Sequence, residues 1–218
     1  MPDADTHPDE TGTIEVSGTG RVAVQPDVAD LRLGVLITRP TVDAARSDAA
    51  RTMDAILSAV DSAGVPRRDV RTSLLSVQPR YDYRDGKAPT LTGYELANVV
   101  EVTVRDLGKL GATIDGTLAA GATSMDSLSF RLDDPAPPER EARVLAMDAA
   151  RARADVLAEA AGLSIVGVSD IVEGGPVRPP MPFPKMERMA MAATDVATPV
   201  EAGSLEVAVS VTVTYRAR

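Results

Sequence analysis

The chain has 218 residues, 44% hydrophobic and 25% charged, which is the balance of a protein whose greater part folds. Its 23 basic and 32 acidic residues leave a formal charge of −9, and only 3% of residues are aromatic. Such a surface repels phosphate backbones and offers no stacking platform, so nucleic acid is excluded as a partner.

Residues 1–11, MPDADTHPDET, read as a disordered acidic tail. From Thr13 the pattern changes: Ile14, Val16, Val22 and Val24 alternate with small or polar residues around Gly18 and Gly20. This predicts a strand broken by a glycine bulge or turn, ended by Pro26 and Asp27. Leu31, Leu33, Val35 and Ile37 then share one face of a second strand. Thr41 caps a helix over 41–63, in which Val42, Ala45, Ala49, Met53, Ile56 and Val60 form an apolar stripe. Gly64 fits its C-terminal cap and Pro66 blocks extension.

Residues 70–81 and 91–105 predict two strands joined by a hairpin-type loop, Asp82 to Gly86. Tyr94, Leu96, Val100, Val102 and Val104 are expected on one face of the second. Asp106 caps a short helix that carries Leu107, Leu110, Ile114 and Leu118 and closes at Gly121. A strand over 123–132 follows. A long helix then runs from Pro138 to Gly162, with a stripe of Ala142, Ala146, Ala149, Val156 and Ala160. A strand over 165–173 leads to a Pro/Met-rich insert, 174–203. The last strand alternates cleanly through Leu205, Val207, Val209, Val211, Val213 and Tyr215.

This order repeats once: strand, helix, strand, strand over 27–105, and the same over 123–216. The expected fold is α+β, two such units joined by the short helix, with a mostly antiparallel sheet and helices on one side. The folded domain is expected over 12–218, with sub-units of about 12–106 and 107–218.

Cysteine is absent, which excludes disulfides, thiolate catalysis and cysteine-ligated metal centres. The single histidine, His7, sits in the acidic tail, so the folded part has no imidazole base for serine chemistry. Gly18-Thr-Gly20 lacks the third glycine of a dinucleotide loop, since position 23 is Ala23. Acidic residues fall mainly at caps, turns and helix surfaces, where solvated charges belong; carboxylate hydrolysis is the weakest reading. No enzymatic activity and no cofactor are expected. No apolar run approaches the ~20 residues of a membrane span.

The insert asks for an explanation. Met181, Met186, Met189 and Met191, half of the 8 methionines, fall within PVRPPMPFPKMERMAM. Thioethers are soft ligands for Cu(I) and are reversibly oxidised, so these four are candidates for a soft-metal site or an oxidant sink. The alternative is an adaptable arm that packs on a partner subunit, with a short helix over 185–193. Histidine co-ligands are missing there.

An ordered set of motifs carries a family resemblance: Val16-Ser-Gly-Thr-Gly20, Pro26-Asp27, Gln78-Pro-Arg-Tyr81, Gly93-Tyr94 with Asn98, and Val104-Arg-Asp-Leu107. It continues through Gly121-Ala122, the alanine-rich helix from Ala142 to Ala149, and Thr198-Pro-Val200 with Gly203. Over about residues 12–217 the sequence resembles the SIMPL-domain family. That family includes a periplasmic oxidative-stress-defence protein and a periplasmic or outer-membrane immunogen. The resemblance implies a homo-oligomer without established enzymatic activity, linked to envelope integrity or oxidative-stress defence, with an envelope-associated protein as a further partner. It carries over no catalytic residues; Gly18, Gly20, Pro26, Asp27, Gly93, Tyr94 and Asn98 are its structural motif. Met1 to Asp5 lack the basic-then-apolar pattern of a leader. The chain is therefore expected to be periplasmic or secreted by the resemblance, and cytoplasmic if this N-terminus is the native one.

Overall fold

A computed structural model describes residues 12–83, 88–174 and 198–218. The acidic tail, the tip of the 82–86 loop and residues 175–197 of the insert lie outside the described residues. Among these the elements run β1 (Gly12–Val24), β2 (Val28–Arg39), α1 (Val42–Ser62), β3 (Val70–Asp82), β4 (Thr90–Val104), α2 (Leu110–Ala119), β5 (Ser124–Arg131), α3 (Ala136–Ala160), β6 (Ile165–Glu173) and β7 (Leu205–Ala217). Every strand pairing is antiparallel, and the fold is α+β.

The chain divides into two compact units. Among the described residues, the first holds 12–25, 134–174 and 204–218, and the second holds 26–133 and 198–203. The halves expected at 12–106 and 107–218 follow chain order, whereas the units follow strand pairing. β1 pairs with β7, and β5 pairs with β2, so the divisions fall beside Pro26 and between Asp133 and Asp134.

In the second unit the sheet order is β3-β4-β2-β5. Leu31, Leu33 and Val35 of β2 and Leu96, Val100, Val102 and Val104 of β4 meet Ala45, Ala49, Met53, Ile56 and Val60 of α1. Leu110 and Ile114 of α2 complete this core. Alternation on the strands and steps of three and four on α1 each place their apolar residues on one face. The Thr41 hydroxyl accepts the Ala44 N–H at the start of α1. Past its end, Gly64 takes a φ of +88°, a conformation that costs a glycine little. Val42 departs from the expected stripe. It is the first residue of α1, ahead of the turns that cover the sheet, and is exposed.

In the first unit the sheet order is β1-β7-β6, and α3 lies over β1 and β7. The expected break in β1 is absent. Its register with β7 runs without a shift from Gly12 opposite Ala217 to Val24 opposite Leu205. Neither Gly18 nor Gly20 has a positive φ. Their reason is clearance: a Cβ on Gly18 would stand 2.0 Å from the Ala146 carbonyl oxygen, and one on Gly20 2.0 Å from that of Ala142.

The α3 stripe also differs from the expected one. Ala142, Ala146, Ala150, Ala154 and Ala158 are buried, while Val156 is exposed. The four-residue step follows one ridge of the helix, and that ridge sits in the shallow channel left by the two glycines. Val16, Val209, Val211, Val213 and Tyr215 close the core around it. The other sheet face is polar: Ser17 pairs with Thr212 at 3.2 Å and Arg21 with Glu206 at 2.8 Å.

Candidate functional site

The motif residues do not converge on one point. Gly18 and Gly20 seat α3 on β1. Pro26 precedes β2, and Asp27 fastens the start of that strand to the end of β5. Its carboxylate accepts the Asp133 N–H at 2.8 Å, and its own N–H donates to the Arg131 carbonyl at 3.3 Å. Gly93 has a φ of +154°, and a Cβ there would stand 2.7 Å from the Arg39 carbonyl oxygen. Tyr94 lies opposite Arg39 and Pro79, and Asn98 opposite Val35 and Leu75. These residues act on backbone path and strand approach. Met181, Met186, Met189 and Met191 lie outside the described residues.

A different surface stands out. β3 is an edge strand, and α1 packs on β2 and β4 rather than on it. Leu75 and Val77 lie opposite Asn98 and Leu96 on the sheet face that α1 covers. Leu96 is buried, but Leu75 is 67% exposed and Val77 44% exposed. The apolar face therefore continues past the helix. Leu74 and Tyr81 are exposed on the same strand. Register shifts at Thr72/Leu74 and Arg80/Tyr81, with Pro79 beside the second, mark β3 as an edge built to stop pairing at its ends. Between them runs a regular stretch from Leu74 to Gln78.

The first unit has a comparable row. β6 is an edge strand with Val166, Val168, Ile171 and Val172 exposed. Single exposed aliphatic side chains are ordinary, but a contiguous row on an unpaired edge offers both backbone groups and apolar area to another chain. The free edge of β1 is treated differently: the Arg153 guanidinium donates to the Ser17 carbonyl. That side chain occupies an acceptor which a neighbouring strand would otherwise use.

The face of the second sheet turned away from α1 is charged and self-neutralising. Asp30 accepts hydrogen bonds from Arg131 Nε at 2.6 Å and Thr103 Oγ1 at 2.8 Å. Arg71 pairs with Glu101 at 2.7 Å and Arg80 with Glu95 at 3.4 Å. Burial alone would raise the Asp30 carboxyl, but hydrogen bonds from Arg131 and Thr103 and the charge of Arg131 outweigh it and hold it below the usual range. A carboxyl lowered in the folded state adds stability above its unfolded value of about 3.9, and that stability is lost as pH falls through the lowered value. Asp30→Asn is therefore expected to flatten the decline of the thermal midpoint below about pH 4. Equal slopes for wild type and variant in that range count against the assignment.

The family model described as "SIMPL: Protein of unknown function (DUF541)" matches residues 14–215. The 26 kDa periplasmic immunogenic protein of Brucella melitensis is 35% identical over 210 residues, covering 93% of this chain and 83% of that protein. The uncharacterized protein YggE of Escherichia coli K12 is 34% identical over 145 residues, covering 66% of this chain and 58% of YggE. YggE of Edwardsiella ictaluri is 29% identical over 153 residues, covering 70% of this chain and 64% of that protein.

Proposed function

Because the chain belongs to the SIMPL family, a family of unknown function, we propose that it is a non-enzymatic envelope protein that assembles with further copies of itself through exposed sheet edges. Its role is support of envelope integrity or oxidative-stress defence. The observation that carries the assembly reading is the β3 edge, where Leu74, Leu75 and Val77 are all exposed on a regular stretch of strand that pairs with β4 on one side only. An added strand satisfies the open N–H and C=O groups and covers the apolar side chains in one step. The periplasmic relative supports the envelope location. No helix among the described residues is long and apolar enough to cross a membrane.

Sedimentation velocity over a wide concentration range tests the reading. The wild type is expected to sediment as a species larger than a monomer. Leu75→Lys with Val77→Lys replaces exposed side chains, so the variant should keep its circular dichroism spectrum and shift to a smaller species. A wild type that stays monomeric throughout removes the assembly reading. If that monomer also takes up Cu(I) stoichiometrically, a soft-metal role for Met181, Met186, Met189 and Met191 replaces it.

A further inference from the structure

The regular stretch of β3 is symmetric in pattern about Ser76. Leu75 and Val77 flank it, both exposed and both on the face that α1 covers further in. Two hydroxyl contacts show which way the main chain is turned. The Ser73 hydroxyl donates to the Val99 carbonyl at 3.3 Å, so that carbonyl points from β4 toward β3, and Val99 lies opposite Leu74. The Thr92 hydroxyl donates to the Arg80 carbonyl at 3.0 Å, so Arg80 is turned toward β4. Register with β4 is unbroken from Leu74 to Arg80, and main-chain groups alternate between the two sides of a strand. Leu74, Ser76, Gln78 and Arg80 therefore face β4, while Leu75, Val77 and Pro79 turn their main-chain groups outward. Pro79 agrees with this, because a proline is tolerated in a sheet where its missing N–H would face solvent.

A second copy of this strand meets those outward groups in one register. Antiparallel pairing about a two-fold axis at Ser76 sets Leu75 opposite the second copy's Val77, and Val77 opposite its Leu75. Both pairs face outward, so each exchanges two N–H···O=C bonds. The same two pairs bring their aliphatic side chains together on one face. Neighbouring registers are worse. An axis at Val77 would set Leu75 against Pro79, which has no N–H to give. An axis at Leu75 would set Val77 against Ser73, where the register shift interrupts the strand. Half-step registers would set an outward-facing residue against an inward-facing one. The basic residues beyond the stretch do not oppose the contact, because Arg71 is paired with Glu101 at 2.7 Å and Arg80 with Glu95 at 3.4 Å.

We propose that β3 joins two copies of this chain about a two-fold axis at Ser76, making one continuous sheet from the β3-β4-β2-β5 sheet of each. The proposal rests on the assembly reading and adds which edge, which symmetry and which residues meet. Every contact is made by the same surface on both copies, so the pairing closes on itself as a dimer.

Cysteine scanning tests it cleanly, since the chain has no cysteine of its own. Ser76 is the residue opposed to itself, in a pair that is not hydrogen-bonded across the new contact. The Cα atoms of such a pair lie about 4.5 Å apart, within reach of a disulfide. Leu74 and Gln78 each lie four residues, roughly 13 Å, from their own counterparts, beyond that reach. With catalytic copper–phenanthroline, Ser76→Cys is expected to form a disulfide-linked dimer at least about tenfold faster than Leu74→Cys or Gln78→Cys alone. An equimolar mixture of Leu74→Cys and Gln78→Cys, exchanged at low concentration, should link into a heterodimer, because these two positions face each other. The proposal is overturned if Ser76→Cys links no faster than the other two, or if the mixture fails to link. Sedimentation velocity of the wild type tells the two readings apart. A wild type larger than a monomer with no Ser76→Cys dimer overturns this contact and leaves assembly through another edge, whereas a strictly monomeric wild type overturns both.

Discussion

Gly18→Ala and Gly20→Ala are each expected to destabilise the first unit by about 3 kcal/mol, the upper end of the cost of overpacking a tight contact. The added methyl group would meet main chain rather than a side chain that can rotate away. At Gly18 it would approach the Ala146 carbonyl oxygen at 2.0 Å and the Ala150 amide nitrogen at 2.6 Å. At Gly20 it would approach the Ala142 carbonyl oxygen and the Ala146 amide nitrogen at the same distances. Neither atom can move without moving α3. The helix must therefore rise from the sheet, which uncovers Val16, Val211 and Val213. Gly12→Ala is the control on the same strand, because its nearest obstacle lies at 4.0 Å. Urea unfolding followed by circular dichroism should separate the three variants. A loss under about 1 kcal/mol for both Gly18→Ala and Gly20→Ala would falsify the close helix–sheet contact.

Ile56→Ala should be about as damaging in the second unit, by roughly 2–5 kcal/mol. Ile56 is fully buried at the centre of the α1 stripe, among the side chains of β2 and β4. Removing its outer atoms loses their transfer free energy and leaves a cavity between a helix and a sheet that are held at fixed spacing by their other contacts. Val42→Ala, on the same helix but exposed, should stay within about 0.5 kcal/mol of wild type. Equal midpoints and slopes in urea for Ile56→Ala and wild type would contradict the placement of this residue.

Local pattern carried much of the fold. The alternation of Leu31, Leu33 and Val35 and the spacing of Ala45, Ala49, Met53, Ile56 and Val60 are each set by one element's own periodicity, and they are legible before any partner is known. The Ala142–Ala158 ridge was only partly legible. Which alanine row faces inward depends on Gly18 and Gly20, which lie far away in the chain, and a glycine pair reads as a bulge until the helix above it is seen. Pairings that cross the chain were hidden for the same reason: nothing local to β1 points to β7, or local to β5 points to β2.

The exposed surface was least legible. Leu75 and Val77 sit in a strand whose composition suits a core, and on the sheet face that is a core at Leu96. Their exposure arises because α1 spans β2 and β4 and stops short of β3. That is a property of where a helix ends relative to a sheet edge, and no spacing within residues 70–81 encodes it. Asp69 is similar. A lone aspartate at the end of a short 3₁₀ turn has no sequence signature of burial; its side chain is 9% exposed beside Arg105, which is distant in the chain.

The β1–β7 ladder sets a timetable for biosynthesis. Ser17 and Thr212, which share a hydroxyl hydrogen bond, are 195 residues apart. During translation the stretch from β2 to β5 becomes available as an unbroken length of chain, able to condense while the ribosome is still working. β1 emerges earlier still, yet its pairing strand is the last of the seven strands among the described residues to be made. Until then Ile14, Val16 and Val22 lack their strand partner, and α3, the helix that lies over β1, is itself made only after β5; closing so long a loop is entropically slow to begin. The nascent protein thus carries an adhesive leading strand for most of its synthesis, a demand for chaperone shielding that arises from topology alone.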